Sequence, residues 1–227
     1  MIELEENGID TEVWKNGSNP VPINRTTPLF VFIGRLVDWK ALDIVIRALV
    51  RVPSVELEVV GDGPMLDTWR SLATDLGVKE RVHFLGHRSQ PEYAARLRES
   101  VALVLPSIYE SGGAVVLEAM AMSKPVIATR WGGPADYLNS SCGILVEPES
   151  YAALVTGFAE GMQKLIDCPE MAKSMGDAGH ERVVRDFDWQ RRMDRVIGIY
   201  SELVEKSGVS TQMNDGPVLA TVVSERR

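Results

Sequence analysis

Six short apolar runs, each the length of a β-strand, constrain what this chain can fold into more than any other feature. They are Leu29–Ile33, Leu57–Val60, Val82–Leu85, Val101–Leu105, Pro125–Thr129 and Gly143–Val146. The runs are continuous rather than alternating, which suits parallel strands covered on both faces. Segments of helical spacing fill most of the gaps. Ala41, Leu42, Val45, Ile46 and Leu49 form one such stripe, and Leu66, Trp69, Leu72, Ala73 and Leu76 another. Tyr93–Leu97 reads as a short helix and Val115–Met122 as a further one. Strand and helix in alternation imply right-handed crossovers and an α/β fold, a doubly wound Rossmann-like parallel sheet of about six strands.

The end of the pattern is helical. Tyr151–Leu165 and Pro169–Arg185 carry helix spacing, and Trp189, Met193, Val196, Ile197, Tyr200 and Leu203 mark a last amphipathic helix with Asp188 as its N-cap. The first 28 residues hold Pro20, Pro22 and Pro28 without periodicity and read as an interdomain linker or arm. Residues 29–205 form the expected domain, and 206–227, rich in small polar residues, a mobile tail. No stretch of about twenty apolar residues occurs, so no membrane-spanning helix is expected. A net charge of −8 argues against a nucleic-acid-binding face. Two cysteines, Cys142 and Cys168, fit buried thiols in a reducing, cytoplasmic setting, and with three histidines they give no basis for a metal site.

In a doubly wound sheet, ligands bind outside the carboxyl ends of the strands. The richest loop there is Pro106–Met120. Gly112 and Gly113 let backbone approach a ligand, and the helix that follows offers unpaired amides and a positive dipole end for a phosphate. That dipole contributes only about 0.3–1 kcal/mol, so cations are needed as well. Gly34-Arg35-Leu36-Val37-Asp38-Trp39-Lys40 places Arg35 and Lys40 at the same sheet edge. Arg35 can equally cap a carboxylate and Lys40 be a solvated residue of a first helical turn; the residues alone leave both readings open. Glu110 and Glu118 are able to reach one pocket from different heights and suit hydroxyl acceptors, such as a ribose diol and a sugar ring. His87 is a pocket candidate by position, His83 a structural strand residue, and His180 a surface residue. Trp39, Trp69 and Trp189 read as core or helix-face packing. The chain has no Gly-x-Gly-x-x-Gly after the first strand, no P-loop and no Gly-x-Ser-x-Gly elbow.

These motifs resemble, in order and spacing, the retaining, nucleotide-sugar-dependent glycosyltransferases of family 4, which have the two-domain GT-B fold. The likeness runs from Asn7 to Leu203. It rests on Asn7-Gly8-Ile9-Asp10, Phe32-Ile33-Gly34-Arg35-Leu36 with Lys40, Val60-Gly61-Asp62-Gly63-Pro64, and Val82-His83-Phe84-Leu85-Gly86. Leu105-Pro106-Ser107 before Glu110, Glu118-Ala119-Met120-Ala121, Lys124–Thr129 and Gly132-Gly133 complete it.

The resemblance implies a C-terminal donor-binding domain, one half of a GT-B fold. Gly34, Arg35 and Lys40 would hold the diphosphate, Arg35 and Lys40 neutralising the leaving group. Gly112 and the amides of Gly113, Ala114 and Val115 would bind phosphate oxygens. Glu118 would accept from ribose hydroxyls, Glu110 would serve the transferred sugar as a catalytic residue with Arg35 and Lys40, and Asp62 and main-chain groups near His87 would edge the donor. No metal or other cofactor is implied, and a nucleoside-diphosphate sugar, such as one carried on UDP, is the substrate.

This chain departs from the family pattern in several places. Glu110-Ser111-Gly112-Gly113 stands where Glu-Gly-Phe-Gly is usual, Ala41 where Gly follows the lysine, Trp131 before Gly132, and Asp136 where Glu is common. The N-terminal, acceptor-binding domain that such enzymes carry is expected to be missing from this chain. The chain is therefore expected to bind nucleotide sugar without efficient transfer, and any peripheral membrane contact would come through the missing domain. The alternative is a non-catalytic nucleotide-sugar-binding module that pairs with a separate acceptor-domain chain.

Overall fold

The computed structural model describes residues 8–14 and 26–207. The expected arm lies largely outside the described residues, as does the expected tail from 208 onward.

Six parallel strands form one sheet: β1 (Leu29–Ile33), β2 (Glu56–Val60), β3 (Val82–Gly86), β4 (Ala102–Leu105), β5 (Val126–Thr129) and β6 (Gly143–Val146). Their spatial order is β3-β2-β1-β4-β5-β6, all neighbours pairing in parallel. The chain reverses direction across the sheet between β1 and β4, and a crevice opens at such a point. Every expected strand is present to within a residue at each end.

The helices are α1 (Leu42–Ala48), α2 (Leu66–Asp75), α3 (Gln90–Glu99), α4 (Ala114–Ala121), α5 (Gly133–Tyr137), α6 (Tyr151–Asp167), α7 (Pro169–Arg182) and α8 (Trp189–Ser207). Strand pleating splits the side chains of β1. Phe30 and Phe32 join the main core with α1, while Leu29 and Val31 join Val60, Leu85 and Tyr93 in a smaller cluster. A π-helical turn, Val183–Phe187, links α7 to α8 and buries Phe187 against Tyr137, their ring centres 5.2 Å apart.

Several expectations need correction. Helix α3 starts at Gln90 rather than Tyr93, because Ser89 and Glu92 form a capping box and Pro91 sits in the first turn. The helical run from Pro169 stops being α-helical at Arg182 and finishes as the π turn. Cys168 is exposed at the junction of α6 and α7, and only Cys142 is buried. His180 is half-buried, its Nδ1 2.7 Å from the Ala121 carbonyl at the end of α4. Trp69 is core, as expected, whereas Trp39 and Trp189 are about half exposed.

Residues 8–14 pack onto this domain. Ile9 donates its amide to the Phe187 carbonyl at 2.9 Å and accepts from the Trp189 amide at 2.9 Å. Thr11 donates to the Asp188 carboxylate at 2.5 Å, and the other oxygen of Asp188 caps α8 by accepting from the Arg191 amide at 3.1 Å. Ile9 and Trp14 are buried by these contacts.

Candidate functional site

The loop after β1 and the loop after β4 meet at the switch point. The Ile108 amide donates to the Trp39 carbonyl at 2.9 Å, which ties them together. Lys40 does not open a helix. It ends a 3₁₀ turn, Asp38–Lys40, and α1 starts two residues later, after Ala41 turns the chain in the left-handed region at φ 47°. That turn aims Lys40 across the crevice, where its Nζ pairs with Glu110 Oε2. Ser107 adds a second hydrogen bond to the same oxygen at 3.1 Å. The Glu110 side chain is 10% exposed and that of Lys40 16%. Two charges this dry must satisfy each other, since an unpaired charge there is costly.

Glycines of the loop after β4 and of the loop after β5 leave room for Glu110. Gly113, at φ +68°, is the N-cap of α4, and a Cβ on it would sit 3.2 Å from Glu110 Cγ. Gly132 lies so close to the loop that its Cβ would be 1.7 Å from the Glu110 carbonyl oxygen. The carbonyl of Ser111 accepts from the Gly133 amide at 3.2 Å. The amides of Ala114 and Val115 stand in the first turn of α4, where no intrahelical acceptor exists. The loops after β1 and β2 interlock alongside. The Gly34 amide donates to Val60 at 3.0 Å and the Leu36 amide to the Asp62 carbonyl at 2.9 Å.

Glu118 lies on the second turn of α4, half-buried, and accepts a hydrogen bond from the Tyr93 hydroxyl at 3.1 Å. Burial pushes its carboxyl up to about 7, and the Tyr93 bond only partly opposes this. The Tyr93 phenol is held well above its usual range, first by burial and then by the facing carboxylate, so it stays a donor. Trp14 lies against Tyr93, ring centres 5.7 Å apart.

The structure thus brings Lys40, Glu110 and Gly113 into contact. Arg35 is exposed at the end of β1, with no ion pair among the described residues. Gly34 lies beside the Lys40 stem, where a Cβ on it would sit 3.8 Å from the Lys40 Cε. Gly112 backs onto Gly133, and the exposed Asp62 spends its carboxylate on the Gly63 amide at 2.7 Å. His87 is exposed just after β3, and His83 lies 3.6 Å from Glu56 on the sheet. In the sequence Ser107 stands out only as part of the motif before Glu110, Tyr93 only as the start of a helical stretch, and Trp14 not at all. A groove of about 590 Å³ lies elsewhere, between β6 and α6 at the edge of the sheet, lined by Leu145, Gly157 and Glu160 among others. It gathers none of these groups, so topology and charge locate the site better than concavity. Among the described residues no cluster of three metal-ligating side chains forms.

A family model covers the sequence that builds this crevice. The model for glycosyl transferases group 1 fits residues 15–182. The chain belongs to this family. One relative of this group 1 chain is a GDP-mannose-dependent α-(1-6)-phosphatidylinositol monomannoside mannosyltransferase of Mycolicibacterium smegmatis. It is 33% identical over 77% of this chain and 48% of its own length. A D-inositol 3-phosphate glycosyltransferase of Corynebacterium glutamicum is 29% identical over 95% of this chain and 55% of that protein. The group 1 chain spans about half the length of the curated relatives it matches. Among solved structures, the sucrose-phosphate synthase of Thermosynechococcus elongatus superposes with a TM-score of 0.75 at 26% identity, covering 88% of this chain and 52% of that one. The C-terminal domain of a group 1 glycosyltransferase from Francisella tularensis, a fold-level likeness at 24% identity, is covered completely, with a TM-score of 0.69 over 80% of this chain. The fold is therefore the Rossmann-like half that GT-B glycosyltransferases carry at their C-terminal end.

Proposed function

We propose that this chain binds the donor in a retaining glycosyltransferase that takes a nucleoside-diphosphate sugar. The acceptor would be held by an N-terminal domain outside this sequence. The observation that carries the reading is the buried Lys40–Glu110 pair set against Gly113 at the amide end of α4. A diphosphate seated on the amides of Gly113, Ala114 and Val115 would meet Lys40 from one side and exposed Arg35 from the solvent side. Negative charge develops on the leaving diphosphate as the glycosidic bond breaks, and donors already aimed at that position stabilise it without reorganising. Glu110, fixed by Lys40 and Ser107, would face the sugar, and Glu118 the ribose. A HepE structure from Anabaena, a fold neighbour with a TM-score of 0.74, holds UDP and glucose, which makes UDP the first nucleotide to try here.

An N-terminal half of this kind would account for one surface feature. Trp189, Met193, Ile197, Tyr200 and Leu203 leave an apolar stripe of α8 exposed, between 38% and 66% for each residue. An N-terminal domain would cover it. No described helix is long and apolar enough to cross a membrane. The two free thiols suit a reducing, cytoplasmic setting.

Calorimetric titration with UDP, GDP and ADP tests the reading. One of the three should bind, and Arg35→Ala should weaken it by about 1.5–3 kcal/mol while leaving the melting temperature in place. Failure of all three at millimolar concentration would overturn the donor site, and robust sugar transfer by this chain alone would overturn the division of labour.

A further inference from the structure

We infer that Tyr93, braced by Trp14, is a positioning residue for Glu118 and thereby sets how strongly the site prefers a ribose over a deoxyribose nucleotide. The inference rests on the donor-site reading above and adds to it two residues from segments outside the phosphate-binding loops.

The geometry runs in one line from the chain's N-terminal segment to the pocket. Ile9 and Thr11 fasten residues 8–14 to the Phe187–Trp189 strip through two backbone hydrogen bonds and the Thr11–Asp188 bond. That anchoring buries Trp14, which is 5% exposed. Its ring lies against Tyr93, with the planes tilted 32°. Tyr93 in turn directs its hydroxyl at Glu118 Oε2. Among the described residues this is the one side-chain hydrogen bond that Glu118 receives, and no cation bonds to it.

A carboxylate on a helix has several staggered positions open to it. A phenol held by a neighbouring ring selects one of them. With Oε2 occupied by Tyr93, Oε1 is the oxygen left to accept from a ligand hydroxyl. A ribose diol offers such donors, and removing one leaves the acceptor unpaired, which is how hydroxyl-reading sites discriminate. Tyr93 touches the ligand only through Glu118, so its loss should act on hydroxyl recognition and not on the diphosphate. Trp14 acts one step further back, by fixing the phenol ring.

The test is calorimetric titration of the full chain with three probes: the nucleoside diphosphate that binds among UDP, GDP and ADP, its 2′-deoxy counterpart, and pyrophosphate. Tyr93→Phe should weaken the ribonucleotide about three- to tenfold, narrow its advantage over the 2′-deoxy form by a similar factor, and leave pyrophosphate unchanged. Trp14→Ala should reproduce that pattern and Trp14→Phe should restore the wild-type ratio. If Trp14→Ala does not fold, Tyr93→Phe decides alone. An unchanged ribose-to-deoxyribose ratio in Tyr93→Phe, or a parallel loss of pyrophosphate, overturns the positioning role. If the wild-type chain binds no nucleotide at all, the donor-site reading itself fails. A wild-type preference for ribose that survives Tyr93→Phe sinks only the relay.

Discussion

Glu118→Gln should make the ligand-free protein more stable and the nucleotide site weaker, and the two effects should separate with pH. Burial holds the carboxyl of Glu118 up to about 7, against an ordinary value of 4.5. The folded chain therefore keeps this proton more tightly than the unfolded chain does. The advantage of the neutral acid is complete below about 4.5 and is lost as pH rises through about 7. At about 1.4 kcal/mol per tenfold change in proton affinity, that gap amounts to about 3 kcal/mol by pH 8. Glutamine keeps the shape without the charge. Little difference from wild type is expected at pH 4.5, and the variant should gain up to about 3 kcal/mol at pH 8, or roughly 6–12 °C in melting temperature for a domain of this size. Thermal unfolding by circular dichroism at the two pH values, without nucleotide, measures this directly. Nucleotide affinity should move the other way, by about 10- to 100-fold, because a charged acceptor is lost. Equal melting temperatures for both proteins at pH 8 would refute the claim that Glu118 is a desolvated carboxylate retained for binding at the expense of stability.

Lys40→Met should destabilise the fold by about 3 kcal/mol, because Glu110 is left as an uncompensated, nearly buried charge. Glu110→Gln in the same chain should recover much of that loss, and a double-mutant cycle from denaturant unfolding reads the coupling. Additive losses would mean that the pair does not interact. Ala41→Gly should raise stability by about 1 kcal/mol, since a non-glycine residue at φ 47° carries left-handed strain. A lower unfolding midpoint would show that its buried methyl group matters more than the strain.

Much of the fold could be read from the chain because its signals are local. A run such as Leu29–Ile33 is apolar on both faces, and a strand of that kind has few places to go other than the middle of a covered parallel sheet. The errors occur where a local signal was weak or outvoted. The capping box at Ser89 and Glu92 marks the true start of α3, yet the apolar spacing begins only at Tyr93. Helix α5 has five residues and no periodicity to detect. Cys168 is apolar by composition, but it falls at the junction of α6 and α7, where nothing covers it. His180 stands on a helix with a polar face, and only the placement of α7 beside the end of α4 brings it to the Ala121 carbonyl.

The site divides along the same line. Its backbone part is written in glycines whose need is local: Gly113 turns the chain into α4, and Gly132 lets a second loop lie against Glu110. Its charges are another matter. Arg35, Lys40 and Glu110 can be picked out by type and by their place after β1 and β4. That Lys40 would pair with Glu110, leaving Arg35 as the exposed cation, depends on a 3₁₀ turn that helical spacing disguises. The pairing resolves a conflict that the residue types pose. A carboxylate beside an anion site repels the anion, unless a buried cation shares its charge while the open end of the site stays positive. In the proposed donor site Lys40 would supply the first condition and Arg35 the second, so the crevice would hold an acid for sugar chemistry and still attract a diphosphate.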